Sequence, residues 1–355
     1  MEQALFDIVH ALETKERLDE RELTKIINRH NKRILEEAKR AACNAAAETA
    51  PAGATEAEPA KALGAATATA GTSSKTHQDA GHQTAPRPLS KRQLMAFYLN
   101  VKKNQPERWA AWALSAEQQR RLALSLQMKP RRTASGVATI TVLTKPWKCS
   151  SDCLYCPNDL RMPKSYLADE PACQRAERTF FDPYLQAAAR LKALTEMGHV
   201  TDKVELIVLG GTWSDYPECY QIWFIRELFR ALNDGSASAA AMPARRRAYE
   251  KLGLSSDPGM LKEFVAEEQQ RIDARESSYN QAFDRLYGAS EAWQQAAQQQ
   301  TATWEELEEE HRKNVDAAHR VVGLVIETRP ERITPTHLAA LRRMGCTKVQ
   351  MGIQS

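Results

Sequence analysis

Four short apolar runs set the rhythm of the second half of the chain, at residues 137–143, 204–209, 321–326 and 349–353. Between them stand helical stripes. Leu185, Ala188, Leu191 and Leu194 share one face, as do Ile222, Ile225, Leu228 and Phe229, and later Leu338, Leu341 and Met344. Apolar residues recurring three and four apart mark the buried side of a helix. The punctuation agrees with this spacing. Asp182-Pro183 and Thr334-Pro335 read as a cap followed by a proline start, and Gly198 and Gly345 read as stops. Strand-then-helix units whose strands are almost wholly apolar predict an α/β fold, a parallel sheet flanked by helices. In a (βα) barrel of this kind, chemistry gathers at the carboxyl ends of the strands. The loop after the first run, Gly210-Gly211-Thr212, Glu327 and Gln354-Ser355 would then share one end.

The pattern divides the rest of the chain. Residues 1–43 read as helices, with Phe6, Val9 and Leu12, then Leu23, Ile26 and Ile27, at helical spacing. Residues 44–88 are rich in Ala, Thr, Gly and Pro and hold almost no large apolar side chain, so burial cannot offset their ordering entropy. They read as a flexible linker. Residues 89–136 read as a basic helical region, and 137–355 as the barrel, interrupted by a helical insertion at 235–314 in which Tyr279, Phe283, Leu286 and Tyr287 form one stripe.

Charge changes the picture at one place. The net charge of +4 is uninformative, but from Arg87 to Arg132 eleven Lys or Arg face two acids, Glu107 and Glu117. Phe97, Tyr98, Trp109 and Trp112 are interleaved with Lys102, Lys103, Lys129, Arg131 and Arg132. One reading is a solvated helical face with its aromatics in a core. The other is a nucleic-acid contact, because cations neutralise phosphates and aromatics stack on unpaired bases. For the cluster as a whole the second is expected, with Lys102, Lys103, Lys129, Arg131 and Arg132 as contacts.

The candidate chemistry lies in the loop Cys149-Ser150-Ser151-Asp152-Cys153-Leu154-Tyr155-Cys156, three thiols at spacing C-x3-C-x2-C. Thiolates are the ligands of iron–sulfur clusters. Three of them on a four-iron cubane leave one iron open to a small molecule. A structural zinc site would want a fourth Cys or His at short spacing, and Cys173 and His199 are the next candidates downstream. A disulfide with one spare thiol suits a secreted chain, which nothing here marks. Seven cysteines, an odd count, suit a reducing cytoplasm. No apolar run approaches the ~18 residues that span a bilayer, so no membrane partner is expected. Cys43, Cys173, Cys219 and Cys346 read as packing or incidental thiols.

With Tyr155 before the last cysteine, the loop is similar to that of the radical S-adenosylmethionine superfamily. A longer set of motifs resembles one family within it, that of the Elongator catalytic subunit and its bacterial and archaeal relatives. They are Lys129-Pro130-Arg131-Arg132-Thr133-Ala134-Ser135-Gly136-Val137, Thr144-Lys145-Pro146, Tyr155-Cys156-Pro157-Asn158, Ser165-Tyr166, Glu170-Pro171 and Phe181-Asp182-Pro183-Tyr184. Further on come Gly198-His199, Asp202-Lys203-Val204-Glu205, Gly210-Gly211-Thr212, Glu327-Thr328-Arg329-Pro330 and Gly352-Ile353-Gln354-Ser355. The resemblance implies a partial radical S-adenosylmethionine-type barrel. It implies a tRNA-modifying acyltransferase that forms 5-carboxymethyluridine at the wobble position, with tRNA and acetyl-coenzyme A as substrates. It implies a [4Fe–4S] cluster on Cys149, Cys153 and Cys156, S-adenosylmethionine at the open iron, and an electron donor. Gly210, Gly211, Thr212, Glu327 and Gln354 would meet that cofactor, and Lys203 would contact acetyl-coenzyme A. For Gly210 and Gly211 an ordinary strand-end turn stays open as an alternative, and for Glu327 a salt bridge to Arg329. The family joins its radical domain to an acetyltransferase-like domain, so a longer product is expected beyond Ser355, with a homodimer or accessory subunits possible. Another radical enzyme on the same superfold, or a non-catalytic RNA-binding or assembly fragment that carries a cluster, are the competing readings.

Overall fold

The structure, a computed structural model, describes residues 1–48, 88–151 and 153–353, with the side chains of 42–48 left aside. It falls into two compact units, residues 1–126 and 127–355. Of the stretch read as a linker, 49–87 lies outside the described residues.

The first unit is helical: α1 (Glu2–Ala11), α2 (Glu20–Glu48), α3 (Lys91–Asn104), α4 (Pro106–Ala111) and α5 (Ala116–Leu126). Leu5, Ile8, Leu12, Leu23, Leu94, Met95, Tyr98, Leu122 and Leu126 form its core. The helix α2 runs past the start of the low-complexity stretch, since alanine costs little in a helix. Ser90 starts α3 with a capping box, its hydroxyl accepting from the Gln93 N–H while the Gln93 side chain accepts from the Ser90 N–H. Asn31 of α2 donates to the Leu89 carbonyl at 2.9 Å, which fixes where the chain re-enters.

Two features of the basic stretch become visible in this unit. Tyr98 and Trp112 lie in its core, 2% and 6% exposed, and the half-buried Phe97 and Trp109 pack against that core, with Phe6, Phe97 and Trp109 set edge to face or tilted on Trp112. Its cations are partly neutralised by acids from distant sequence. Arg108 pairs with Glu2, and Arg120 with Glu16 as well as Glu117. Arg120 and Arg121 together hold the Glu117 carboxyl down to about 2.

The second unit is built on four parallel strands, β1 (Ala138–Leu143), β2 (Lys203–Leu209), β3 (Arg320–Thr328) and β4 (Lys348–Met351), ordered β1-β2-β3-β4. Between them run α6 (Pro171–Glu177), α7 (Pro183–Glu196), α8 (Glu218–Asp234), α9 (Ser238–Lys251), α10 (Pro258–Asp273), α11 (Tyr279–Phe283), α12 (Glu291–Gln299), α13 (Trp304–Asn314) and α14 (Pro335–Arg343). The parallel sheet with flanking helices is thus the one the periodicity predicts. Alternate residues Ile140, Val142, Val204, Leu206, Val208, Leu324 and Ile326 turn to one face, against Leu191 of α7, Phe224 and Leu228 of α8, Leu307 of α13 and Leu341 of α14. Each such side chain contributes roughly 1.5–3 kcal/mol on full burial. Parallel strands place all their carboxyl ends together, and the loops after β1, β2, β3 and β4 therefore meet.

Candidate functional site

At that shared end a cavity of about 280 Å³ opens. Cys149, Cys153, Cys156, Gly210, Gly211, Thr212 and Glu327 all line it, joined by Lys164, Ser165, Tyr166 and Arg329. Cys149 is buried, and Cys153 and Cys156 are half-buried. All three are free thiols. The Cys149 Sγ lies 3.5 Å from Thr212 Oγ1 and the Cys156 Sγ 3.1 Å from Ser165 Oγ, while Arg329 Nη1 donates to the Cys153 Sγ. Ser165 holds φ +87, a backbone state that a side-chain-bearing residue seldom adopts and that gathers at functional sites. Among the described residues no group of three or more His, Cys, Asp or Glu is gathered closely enough to hold a single metal ion.

The glycines divide in their reasons. Gly210 has φ +152, and a Cβ there would sit 1.8 Å from Thr144 Oγ1 on the neighbouring strand end. Glycine is demanded at 210 by that close approach of Thr144. At Gly211 a Cβ would meet nothing closer than the Tyr216 hydroxyl at 3.7 Å. Thr144 in turn bonds Tyr216 at 2.8 Å, and Tyr216 donates to the Lys145 carbonyl at 2.8 Å.

Glu327, next to last in β3, is half-buried. Its partner is Tyr166, whose hydroxyl donates to Oε2 at 2.7 Å. The salt bridge to Arg329 considered from the sequence does not form, because Arg329 pairs with Glu331 and reaches Cys153. Burial pushes the Glu327 carboxyl up from its ordinary 4.5, against the opposing pull of the Tyr166 bond. An acid with a raised folded-state pKa binds more protons folded than unfolded, so its contribution to stability falls as pH climbs from the ordinary value through the raised one. Glu327→Gln keeps an acceptor for Tyr166 and removes the charge. It should flatten that fall and raise the melting temperature at neutral pH relative to the parent. Thermal melts from about pH 4 to pH 8 would read it; superimposable profiles would exclude a buried, charge-costly Glu327.

Other expected residues stand elsewhere. Lys203 opens β2 at the amino ends of the strands and lines a separate cavity of about 360 Å³ with His311 and Arg320. Seven residues of strand put it roughly 20 Å from Gly210. Gln354 lies outside the described residues. Lys129, Arg131 and Arg132 are exposed around a short 3-10 turn, Pro130–Thr133, in the second unit. Lys102 and Lys103 are exposed on α3 of the first unit, with Lys102 over the Trp109 ring at 5.4 Å. Cys173 and Cys346 are buried, whereas Cys219 is exposed. The side chain of Cys43 is not described.

Two residues make contacts the sequence reading did not find. Tyr166 was visible as part of a motif without a role. Lys145, 5% exposed, lies 5.3 and 4.6 Å from the ring centres of Trp147 and Tyr220 and donates to Gln300 at 2.6 Å. Burial pushes its amine down to about 7. No helix among the described residues is long and apolar enough to cross a membrane.

No family model matches the chain. A tRNA uridine(34) acetyltransferase of Methanocaldococcus infernus is 31% identical over 245 residues, 67% of this chain and 33% of its own length. Elongator complex protein 3 of Schizosaccharomyces pombe is 29% identical over 245 residues, 66% of this chain and 33% of that one. A solved structure of Methanocaldococcus infernus Elp3 with an N-terminal deletion aligns with 62% of this chain and 29% of that one, at 24% identity and a TM-score of 0.33, too low to speak for or against a shared fold. The chain spans about a third of the length of the curated relatives it matches. Over that span it resembles the Elongator catalytic-subunit family, whose members carry the names tRNA uridine(34) acetyltransferase and Elongator complex protein 3.

Proposed function

We propose that the chain is the cluster-bearing part of a tRNA-modifying acyltransferase, a radical S-adenosylmethionine enzyme that builds 5-carboxymethyluridine at the wobble position from acetyl-coenzyme A. One observation carries the reading: three cysteines of one loop line a single cavity with Gly211, Thr212 and Glu327 at the carboxyl ends of a parallel sheet. Strand order without reversal supports a barrel segment over a doubly wound sheet, whose order switches. The relatives' names supply the substrate, a tRNA uridine at position 34, and the acyl chemistry.

The residues present suit a [4Fe–4S] cluster. Each thiolate would bind a different iron of a cubane, so the three sulfurs would stand farther apart than in a zinc site, where all share one shell of ~2.3 Å. When bound, the cluster with S-adenosylmethionine at its open iron supplies a 5′-deoxyadenosyl radical. The chain's own part is to hold and tune. Thr212 and Ser165 bring hydroxyls to the Cys149 and Cys156 sulfurs, and Arg329 brings an N–H to Cys153. Hydrogen bonds to the sulfurs are among the terms that set such a cluster's potential. Glu327, steadied by Tyr166, offers a carboxylate to the cofactor's ammonium, a partner that would offset its burial. Gly211 leaves the wall low for backbone contact. Lys129, Arg131 and Arg132 are the proposed phosphate contacts, with Lys102 and Lys103 secondary; Lys203 would meet acetyl-coenzyme A away from the cysteine cavity.

Oxygen-free reconstitution with iron and sulfide is the test. The chain should take up about four irons and release 5′-deoxyadenosine from S-adenosylmethionine once reduced. Tetrahedral zinc at the same thiols, or no metal at all, would sink the proposal. A loaded cluster with no cofactor cleavage, while tRNA still binds, would point instead to an assembly or RNA-binding role.

A further inference from the structure

The loop that carries the cysteines has almost no regular structure of its own. Between β1 and α6 it leaves a long row of backbone N–H and C=O groups, and buried groups of that kind need partners. Many of those partners come from the helical segment between β2 and β3.

Asn280 of α11 gives both ends of its amide to one residue. Its Oδ1 accepts from the Cys149 N–H at 3.0 Å, and its Nδ2 donates to the Cys149 carbonyl at 2.8 Å. Gln269 of α10 repeats the device farther along, donating to the Asn158 carbonyl at 3.0 Å and accepting from the Leu160 N–H at 3.0 Å. Tyr279 donates to the Met162 carbonyl at 2.7 Å and Tyr287 to the Leu160 carbonyl at 2.6 Å. Lys148, next to Cys149, pairs with Asp284 at 2.6 Å. Asp284 and Tyr287 both belong to a π-helical turn, Asp284–Gly288, that continues α11. Such turns are rare and concentrate at functional sites, where the extra residue re-aims side chains. A capping box, Ser278 with Gln281, sets the start of α11 two residues before Asn280. A segment that merely covered the sheet would offer apolar side chains. This one offers two side-chain amides and two phenols to loop backbone.

We infer that the insertion is the template on which the cysteine loop is shaped, and that Asn280 is a positioning residue that holds Cys149 against the cavity. Its meaning for catalysis rests on the cluster reading above, but the clamp itself can be tested without metal. In the reduced, metal-free 355-residue chain, a short pulse of N-ethylmaleimide followed by peptide mass analysis reads the opening of each thiol. Cys173, fully buried, serves as the gauge of global opening. Asn280→Ala should label Cys149 about tenfold faster than the parent, the size that two ordinary hydrogen bonds imply, with Cys173 unchanged. Asn280→Asp, which keeps the acceptor and loses the donor, should fall between. Arg285→Ala breaks the Arg285–Glu268 pair inside the insertion and should label Cys149 at the parent rate. After reconstitution, Asn280→Ala should also hold less iron and give an altered electron paramagnetic resonance spectrum. Parent-rate labelling of Cys149 in both Asn280 variants overturns the inference, as does a rise that Cys173 or Arg285→Ala shares. If Cys149 is unmasked as expected but neither parent nor variant takes up iron, the clamp stands and the cluster reading fails.

Discussion

Serine at any one of Cys149, Cys153 or Cys156 should abolish retention of a four-iron cluster and drop 5′-deoxyadenosine release by more than about 100-fold, beyond the cost of losing an outer-shell partner. The change is one atom, so the backbone and the cavity wall stay. What goes is a soft thiolate, replaced by an alcohol that remains protonated and binds iron poorly. Each of the three should matter alike, although Cys149 is buried and the other two are half-exposed, because each would own one corner. Iron and sulfide analysis beside far-ultraviolet circular dichroism separates ligand loss from unfolding. Variants that keep the parent's iron content would remove these thiols from the proposed chemistry.

The periodic part of the fold was legible because its causes are local. Apolar runs at 204–209 and 321–326 became β2 and β3, and the Asp182-Pro183 and Thr334-Pro335 signals became the starts of α7 and α14. The gathering of Cys149, Gly211 and Glu327 at one end follows from parallel topology, which the strand-helix alternation already implied. Contacts between side chains distant in sequence left no such trace. The Asn280 clamp joins residues 131 positions apart, and the Tyr166–Glu327 bond joins residues 161 apart. Nothing in spacing or propensity selects those partners; packing of finished elements does. The ion pairs of the basic stretch were hidden for the same reason. Counting acids within 87–132 missed Glu2 and Glu16, which fold back onto Arg108 and Arg120. Lys129, Arg131 and Arg132 keep their exposure.

The largest stability effect is expected from Asp182→Ala, at about 3–5 kcal/mol. Asp182 is fully buried and works in three directions. Its Oδ1 caps α7 by accepting from the Leu185 N–H at 2.8 Å, while Oδ2 accepts from Arg245 Nε at 2.8 Å and from the Tyr249 hydroxyl at 2.7 Å. Loss of the cap alone is worth about 1 kcal/mol. The larger part comes from leaving the mostly buried Arg245 guanidinium short of one carboxylate, with Glu227 its remaining partner. The turn just before Asp182 adds to this. Phe180 and Phe181 both hold positive φ, 56° and 53°, a state that bulky residues keep only when their surroundings impose it. The ring of Tyr249 stacks on Phe180 at 5.1 Å, so the group that Asp182 anchors is also the group that holds the strained turn. Asp182→Asn keeps a competent cap and a neutral acceptor and should cost less. Adding Arg245→Ala to Asp182→Ala should recover part of the loss, because the stranded charge goes with it. Urea unfolding of the single and double variants measures the coupling. Strict additivity would show that the Asp182–Arg245 pair carries no weight in holding the fold, and that the cost of Asp182→Ala comes from the cap and the Tyr249 bond.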